Sequence, residues 1–480
     1  MSNASKHPSQ QIPIVEIVDP SEHSKHRLVG VERFFVQHKD HLKWVHFVMF
    51  WVFMVLLFVP LFLAEPLEQD TPLTNFTLFT NYLMWGLWFP LVFLSVVFTG
   101  RSWCGVLCPM GAASEWANNR GLGRKIPAFI RWEGTPIVSF LIITFLGQTV
   151  GVRDHPEALA EVFGGVMLVA IIVGYIWGKS QRAWCRHMCP IGLLLGLFSR
   201  LGMVQFISKK PKMGGDQYAE NGFCPTMIDL RQKQESRHCI ECFRCVVPDA
   251  KNSMMVRWRK PGEEVEKIGQ HNGNAAEVWF FLLGVGSALG GFLWLVLPQY
   301  HAMRQKLGEW MIDQGWYWIG ESGPWWLMSV HPERREVFNW LDFFSIIGFM
   351  TLVMVVFSVI LGSINALAAM TAGSKGSHKS YRARYIELAY QYMPVAMVSL
   401  LLGLGGKLFE WFAIAGMSDG YILLVKLALF IISILWSLRL GWKILEQQGL
   451  RPVNRALPML FGLAGSVFVG LCWWPALFGV

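Results

Sequence analysis

Nine apolar segments constrain the fold of this 480-residue chain more than any other feature. Each comes close to the roughly 20 residues that an α-helix needs to cross a bilayer. They lie at approximately 44–64, 79–99, 135–153, 162–178, 276–298, 342–366, 390–413, 420–439 and 456–478. The chain is 53% hydrophobic with a mean hydropathy of +0.37, too apolar for a soluble protein. The sequence therefore predicts an all-α polytopic membrane protein with about nine transmembrane helices.

The loops between these segments alternate between basic and acidic, as the positive-inside rule requires. This pattern places the N-terminus and the long basic segment after residue 178 in the cytoplasm, and an odd number of spans places the C-terminus outside. We expect a multi-pass protein of the bacterial cytoplasmic (inner) membrane. The predicted units are a cytoplasmic basic segment 1–43, a four-helix membrane domain 44–200, a cytoplasmic module 201–275, and a C-terminal membrane domain 276–480 with an outer Trp-rich loop 299–341.

The cytoplasmic module carries a cysteine motif, C-x2-C-x2-C, with a Cys-Pro pair fifteen residues upstream. Three thiolates at this spacing on an irregular loop wrap one corner of an iron–sulfur cubane, and a remote cysteine followed by proline is the usual fourth ligand. The spacing therefore predicts a small ferredoxin-like segment that binds one [4Fe-4S] cluster. We call these four residues the loop set: Cys224, Cys239, Cys242 and Cys245.

The loop set departs from the pattern of a two-cluster ferredoxin, which repeats C-x2-C-x2-C-x3-C-P twice. The other ligands would fall at Gly214, Gln217, Glu220 and Asp249, none of which is a cysteine. One cluster is therefore expected in this module. A four-cysteine zinc knuckle is the alternative, because zinc takes the same thiolates at similar spacing.

A second cysteine pattern is an internal repeat in the first membrane domain. The motif R-x-W-C-x3-C-P-x-G begins at Arg101 and again at Arg182, with a constant offset of 81 residues. Each copy follows a helical hairpin, and paired hairpins usually pack about a pseudo-twofold axis. We expect this packing to bring four thiolates together, the membrane set: Cys104, Cys108, Cys185 and Cys189.

The membrane set fits several roles. It can bind a second [4Fe-4S] cluster or another metal, act as redox dithiols, or merely pack. The two arginines that begin the repeats would offset the negative charge of a thiolate-bound cluster, or anchor the chain at the inner leaflet. The ninth cysteine, Cys472, lies alone in a late apolar segment and is interpreted as a packing residue.

The doubled motif on membrane hairpins, followed by the ferredoxin-like segment, resembles the polyferredoxin-type membrane family over roughly residues 44–250. That family includes the membrane ferredoxin subunit of nitrate reductase systems, the nitrous-oxide reductase regulator and the cytochrome oxidase accessory protein. The resemblance implies electron transfer at the cytoplasmic membrane, commonly from quinol towards periplasmic acceptors, or help in assembling metal centres. It does not cover the last four predicted spans.

Three functions follow from these features. The first is an electron-transfer subunit of an oxidoreductase system, working between a quinone or cytoplasmic donor and a redox partner protein, which the resemblance places in the periplasm. The second is a maturation factor that reduces or delivers a metal such as copper, a soft ion that thiolates bind well. The third is a non-redox scaffold stabilised by zinc. Beside lipid, the outer Trp-rich loop is expected to contact the outer leaflet or a periplasmic protein, and no nucleic-acid partner is expected.

Overall fold

The computed structural model describes residues 27–478 except 65, 68, 210–223, 231–232, 251–252 and 335. Most of the predicted N-terminal segment 1–43 therefore lies outside the described residues. So do Gly214, Gln217 and Glu220, three of the positions at which a second ferredoxin motif would have its ligands.

The chain is helical up to the end of the first membrane domain. Its helices there are α1 (Val29–Gln37), α2 (Leu42–Phe58), α3 (Phe76–Tyr82), α4 (Phe89–Thr99), α5 (Pro109–Asn119), α6 (Ala128–Arg131), α7 (Thr135–Thr149), α8 (Pro156–Ile176), α9 (Ala183–His187) and α10 (Pro190–Phe198). A short turn extends α2 through Phe62, and the π-helical segment Leu83–Trp88 joins α3 to α4. Both hairpin repeats thus end on short turns that carry the cysteines.

The cysteine module sits on a two-stranded antiparallel sheet. Strand β1 (Val204–Ser208) pairs with β2 (Met254–Trp258), and the cysteine loop is the connection between them. Helix α1 packs against β2, where the Leu28 N–H donates to the Val256 carbonyl at 2.8 Å. The ring of Phe35 on α1 stacks on Phe243 in the cysteine loop, with centroids 3.9 Å apart. The part of the N-terminal segment that is described is therefore integrated into the cysteine module.

The C-terminal half is a second helical bundle with a small hairpin on one face. It contains α11 (Glu263–Glu266), α12 (Ala275–Val296), α13 (Pro298–Asp313), β3 (Val330–His331), β4 (Glu336–Val337), α14 (Trp340–Ser374), α15 (Tyr381–Ala389), α16 (Met393–Leu404), α17 (Gly406–Ile414), α18 (Asp419–Gln447), α19 (Pro452–Cys472) and α20 (Trp474–Phe478). The span built from α15 and α16 is almost entirely buried, at the centre of this bundle. Five tryptophans of the outer loop are exposed: Trp310, Trp316, Trp318, Trp325 and Trp326.

Eight helices in the described part of the chain are long and apolar enough to cross a membrane. They cover Leu42–Phe62, Phe76–Thr99, Pro156–Ile176, Ala275–Val296, Trp340–Ser374, Tyr381–Gly403, Asp419–Gln447 and Pro452–Cys472. The remaining predicted span, 135–153, forms the shorter helix α7 of 15 residues. It ends there because Gly151 adopts a left-handed conformation with φ of 71°. The fold is an all-α multi-pass membrane protein, as the sequence predicts, and the side on which the C-terminus lies stays a prediction.

Candidate metal centre

The loop set surrounds one cavity, which its four cysteines line together with apolar side chains such as Phe206 and Leu230. Two loop residues, Glu241 and Phe243, have positive φ angles of 54° and 59°. Such angles are uncommon for residues other than glycine. Left-handed residues in a turn point successive backbone N–H groups to one side, which forms the anion-binding concavity found at many iron–sulfur sites. The loop is therefore shaped for a group that carries negative charge.

A lysine closes this loop after its last cysteine. The Lys209 ammonium donates to the carbonyls of Val247, Pro248 and Ala250 at 2.7, 2.9 and 2.8 Å. The turn it holds contains Asp249, the position at which a two-cluster ferredoxin would have a further cysteine. The Asp249 side chain is exposed. The Lys209 ammonium therefore holds in place a turn that has no cysteine ligand.

The membrane set is assembled from both copies of the repeat. Cys108 directly precedes α5, and its Sγ accepts a hydrogen bond from the Gly111 N–H at 3.4 Å. A Cβ added to Gly111 would lie 3.4 Å from the Sγ of Cys185, in the other copy. Cys189 occupies the corresponding position before α10, and it lies near the other three thiols. The expected convergence of the four cysteines is found in the structure.

Burial sets the protonation of these thiols. Burial and the neighbouring Cys104 and Cys185 raise the pKa of Cys108 to about 12. Burial likewise raises the pKa of Cys185 to about 11 and that of Cys239, in the loop set, to about 12. Thiolate, not thiol, is the nucleophile and the metal ligand. These residues are therefore poor candidates for free redox dithiols, whereas a bound cation would supply the charge that draws off their protons.

The two arginines that begin the repeats lie beside the sulfurs. Arg101 and Arg182 are 2% and 1% exposed, so neither reaches the lipid headgroups as an anchor would. Arg101 donates to the Cys104 Sγ at 3.8 Å and to the carbonyl of Arg237 at 2.6 Å. Arg182 donates to Glu115 at 2.6 Å. Two buried cations next to four cysteines suit a group that carries negative charge.

The two cysteine sets touch each other. A Cβ at Gly105, next to Cys104, would lie 2.9 Å from the amide nitrogen of Cys242 and would clash with the carbonyl of Ile240. The backbone N–H of Arg182 donates to the carbonyl of Pro225 at 2.7 Å. Although burial opposes it, the pKa of Arg182 is raised, because Glu115 and cysteines of both sets lie near its guanidinium. Arg182 therefore belongs to both sites.

The sulfur spacing separates a cluster from a single zinc ion. Tetrahedral zinc with Zn–S bonds of about 2.3 Å holds its sulfurs about 3.8 Å apart. Within the described residues, no three cysteine sulfurs lie within 4.8 Å of one another. Both sets would have to contract to hold a single zinc ion, so the sulfur spacing is more compatible with a larger group.

One residue at this site, Glu115, was not predicted from the sequence. Glu115 pairs with both Arg182 and Arg244, and so links the membrane set to the loop set. Glu115 and Gly196 occupy the same position in the two repeat copies. The two repeat copies therefore differ at this position, which has a carboxylate in one copy and a glycine in the other. This difference draws attention to Glu115 in the sequence, but it does not reveal which residues Glu115 pairs with.

Comparison with known proteins agrees with this site. A family model described as a 4Fe-4S binding domain matches residues 82–127 and 161–213, which contain the whole membrane set. The match supports a [4Fe-4S] cluster in this chain, and the predicted resemblance to the polyferredoxin-type membrane proteins is confirmed.

Each of the relatives described here matches about a third of the chain. The ferredoxin-type protein NapH of Escherichia coli is 24% identical over 166 residues, 30% of this chain and 58% of NapH. Protein NirI of Paracoccus denitrificans is 26% identical over 188 residues, 35% of this chain and 27% of NirI. An uncharacterised protein of Methanocaldococcus jannaschii is 26% identical over 155 residues, 31% of this chain and 60% of that protein. The chain thus spans less than two thirds of the length of each of these three relatives. No solved structure matches it.

Proposed function

We propose that this chain passes electrons between a quinone or cytoplasmic donor and a partner redox protein, through two adjacent [4Fe-4S] centres. The loop set would hold one cluster and the membrane set the other. A cluster at each set would accept and release one electron at a time. The relatives named as ferredoxin-type proteins support electron transfer as the activity.

The contact between the sets carries this proposal. Gly105 packs on the Ile240–Cys242 backbone without a side chain between them, and Arg182 reaches both sets. A cofactor pair held this closely can exchange electrons directly.

The residues around the sets have separate tasks. Arg101 and Arg182 offset the charge of the membrane set, and the left-handed loop residues offer N–H groups to the loop set. One cysteine of each set is buried, Cys104 at 9% and Cys239 at 8% exposed, and the other six are partly exposed.

The orientation follows from charge. The basic loops support an orientation with both sets on the cytoplasmic side of the inner membrane. A quinone would then approach the membrane set from the lipid, and the partner protein would dock on the loop module or on the outer face.

Stopped-flow reoxidation tests the proposal. The full chain in lipid nanodiscs is reduced with dithionite and mixed with a short-chain quinone analogue, as wild type and as Cys189→Ser. We expect the loop-set signal to reoxidise at least tenfold more slowly in the variant, because the membrane set then no longer relays the electron. Cys472→Ser is the matched control and should behave as wild type. Equal rates in all three proteins would contradict a relay through the membrane set.

A further inference from the structure

Two copies of the tripeptide His-Pro-Glu meet at the end of the membrane domain opposite to the cysteines. They are His155-Pro156-Glu157, at the start of α8, and His331-Pro332-Glu333, at the β3–β4 hairpin. The imidazole rings of His155 and His331 stack with centroids 3.8 Å apart and planes 15° apart. Helix α8 has 21 residues, so about 30 Å separates this pair from the cysteine-bearing end.

The two imidazoles converge with a carboxylate. One donor atom each from His155, Glu157 and His331 lies within 4.8 Å of the others. Donors bound to a tetrahedral ion at about 2.1 Å stand about 3.4 Å apart, so ion binding requires the donor atoms to move together by at most about 1.4 Å. The Glu157 side chain, which would move, is exposed.

A second carboxylate orients the buried histidine. His155 is 2% exposed, and its Nε2 lies 3.0 Å from the Glu336 carboxylate. The Nε2–H therefore donates to Glu336, which leaves a lone pair on Nδ1. The Arg334 guanidinium donates to that Nδ1 at 3.0 Å, so a cationic group already faces it. A metal-binding histidine typically donates its other N–H to a carboxylate in this way.

We propose that His155, His331 and Glu157 bind one divalent first-row transition ion, of the Zn²⁺ or Cu²⁺ type, on the face opposite to the cysteine sets. Two imidazoles and a carboxylate are ligands that these ions prefer, and three protein ligands leave one position open. The ion takes the place of the Arg334 guanidinium at Nδ1 of His155, and Glu336 holds the ring in its ligating tautomer. This ion fastens the loop before α8 to the β3–β4 hairpin.

Zinc retention tests the site in the full chain with its clusters intact. Protein purified anaerobically in detergent is stripped with a chelator, incubated with ZnCl₂, desalted, and assayed for zinc and iron. The comparison is wild type, His331→Ala, and His301→Ala, which removes an exposed histidine of the same outer region. All three carry the same cysteines, so zinc bound to thiols cancels. We expect His331→Ala to retain one zinc fewer per chain than wild type, and His301→Ala to retain as much as wild type.

Two further variants keep the test decisive. Glu157→Gln changes an exposed side chain and should weaken zinc binding at least tenfold even if His331→Ala fails to fold, which a loss of iron would reveal. Glu336→Gln should weaken binding by about 10- to 100-fold, as the loss of an orienting carboxylate does. Equal zinc retention in wild type, Glu157→Gln and Glu336→Gln would overturn the proposal and leave an ion-pair cluster only.

Discussion

Gly105, one residue after the first membrane cysteine, packs its backbone against the amide of Cys242 in the cysteine loop, 137 positions further along the chain. Any side chain at Gly105 would separate the two cysteine sets. The contact is therefore both a packing constraint and the shortest route between the two candidate centres.

The substitution Gly105→Ala tests this contact. The new methyl group would clash with the Ile240 carbonyl, and overpacking of this kind costs about 1–3 kcal/mol. We expect both clusters to form but their magnetic interaction to weaken, measured by paramagnetic resonance of the reduced protein. Gly165→Ala on α8 is the control, because a Cβ there meets no atom within 4 Å. An unchanged interaction in Gly105→Ala would show that the sets do not depend on this approach.

Single cysteine substitutions should halve the iron content. Cys242→Ser removes a ligand of the loop set, and Cys189→Ser removes one of the membrane set. Each is expected to reduce about eight iron atoms per chain to about four, measured by metal analysis of anaerobically purified protein. Cys472→Ser should keep all of the iron. An unchanged iron content in Cys189→Ser would show that the membrane set does not hold a cluster.

Arg182 should tune both centres at once. Its guanidinium lies near Cys185 and Cys242, so loss of this positive charge makes reduction less favourable at both sets. We expect Arg182→Gln to make both reduction potentials more negative, by on the order of tens of millivolts in a redox titration. Arg182→Lys keeps the charge and should stay closer to wild type, and the exposed Arg120→Gln should not differ from it. A shift at only one centre would be inconsistent with an arginine shared between them.

A buried ion-pair network should hold the loop module to the C-terminal bundle. The Glu264 carboxylate is fully buried and pairs with Arg200 at 2.9 Å and Arg259 at 2.6 Å. Arg200 also pairs with Glu277 on α12 at 3.1 Å. Because breaking a buried pair leaves charge uncompensated, Glu264→Gln should cost about 3–5 kcal/mol, seen as a lower melting temperature.

The control and the pH dependence follow from the same network. Lys443→Gln breaks a pair with Glu446 that is largely exposed, and should cost less than about 1 kcal/mol. Although burial opposes it, Arg259 and Arg200 lower the pKa of Glu264 to about 2. The stabilisation is therefore complete above the ordinary carboxyl pKa and is lost as the pH falls towards 2. Equal melting temperatures for Glu264→Gln and wild type at neutral pH would refute the network.

Much of the fold was accessible from the sequence, because hydrophobicity decides which segments cross a bilayer. The early end of α7 was also encoded, since Gly151 can adopt the left-handed conformation that stops a helix. The packing of α1 on the cysteine module was not. This packing depends on the stacking of Phe35 on Phe243. The two residues are distant in the sequence, and local hydrophobic periodicity does not predict their contact.

The two cysteine sets were predictable because the C-x2-C-x2-C run and the repeated C-x3-C-P motif are patterns that the sequence displays directly. Their mutual contact was not predictable. Gly105 is one of 46 glycines, and only the fold shows which of them faces the cysteine loop. The contact between His155 and His331 was not predictable either, because it depends on the tertiary fold. Only the shared His-Pro-Glu tripeptide is present in the sequence.

The most direct test of two adjacent centres is an anaerobic count of iron, acid-labile sulfide and zinc, with paramagnetic resonance after dithionite reduction. Two [4Fe-4S] clusters predict about eight iron and about eight sulfide per chain, with two reduced signals that broaden each other. About four iron with one isolated signal would contradict a second cluster. Zinc without sulfide would contradict the redox function altogether.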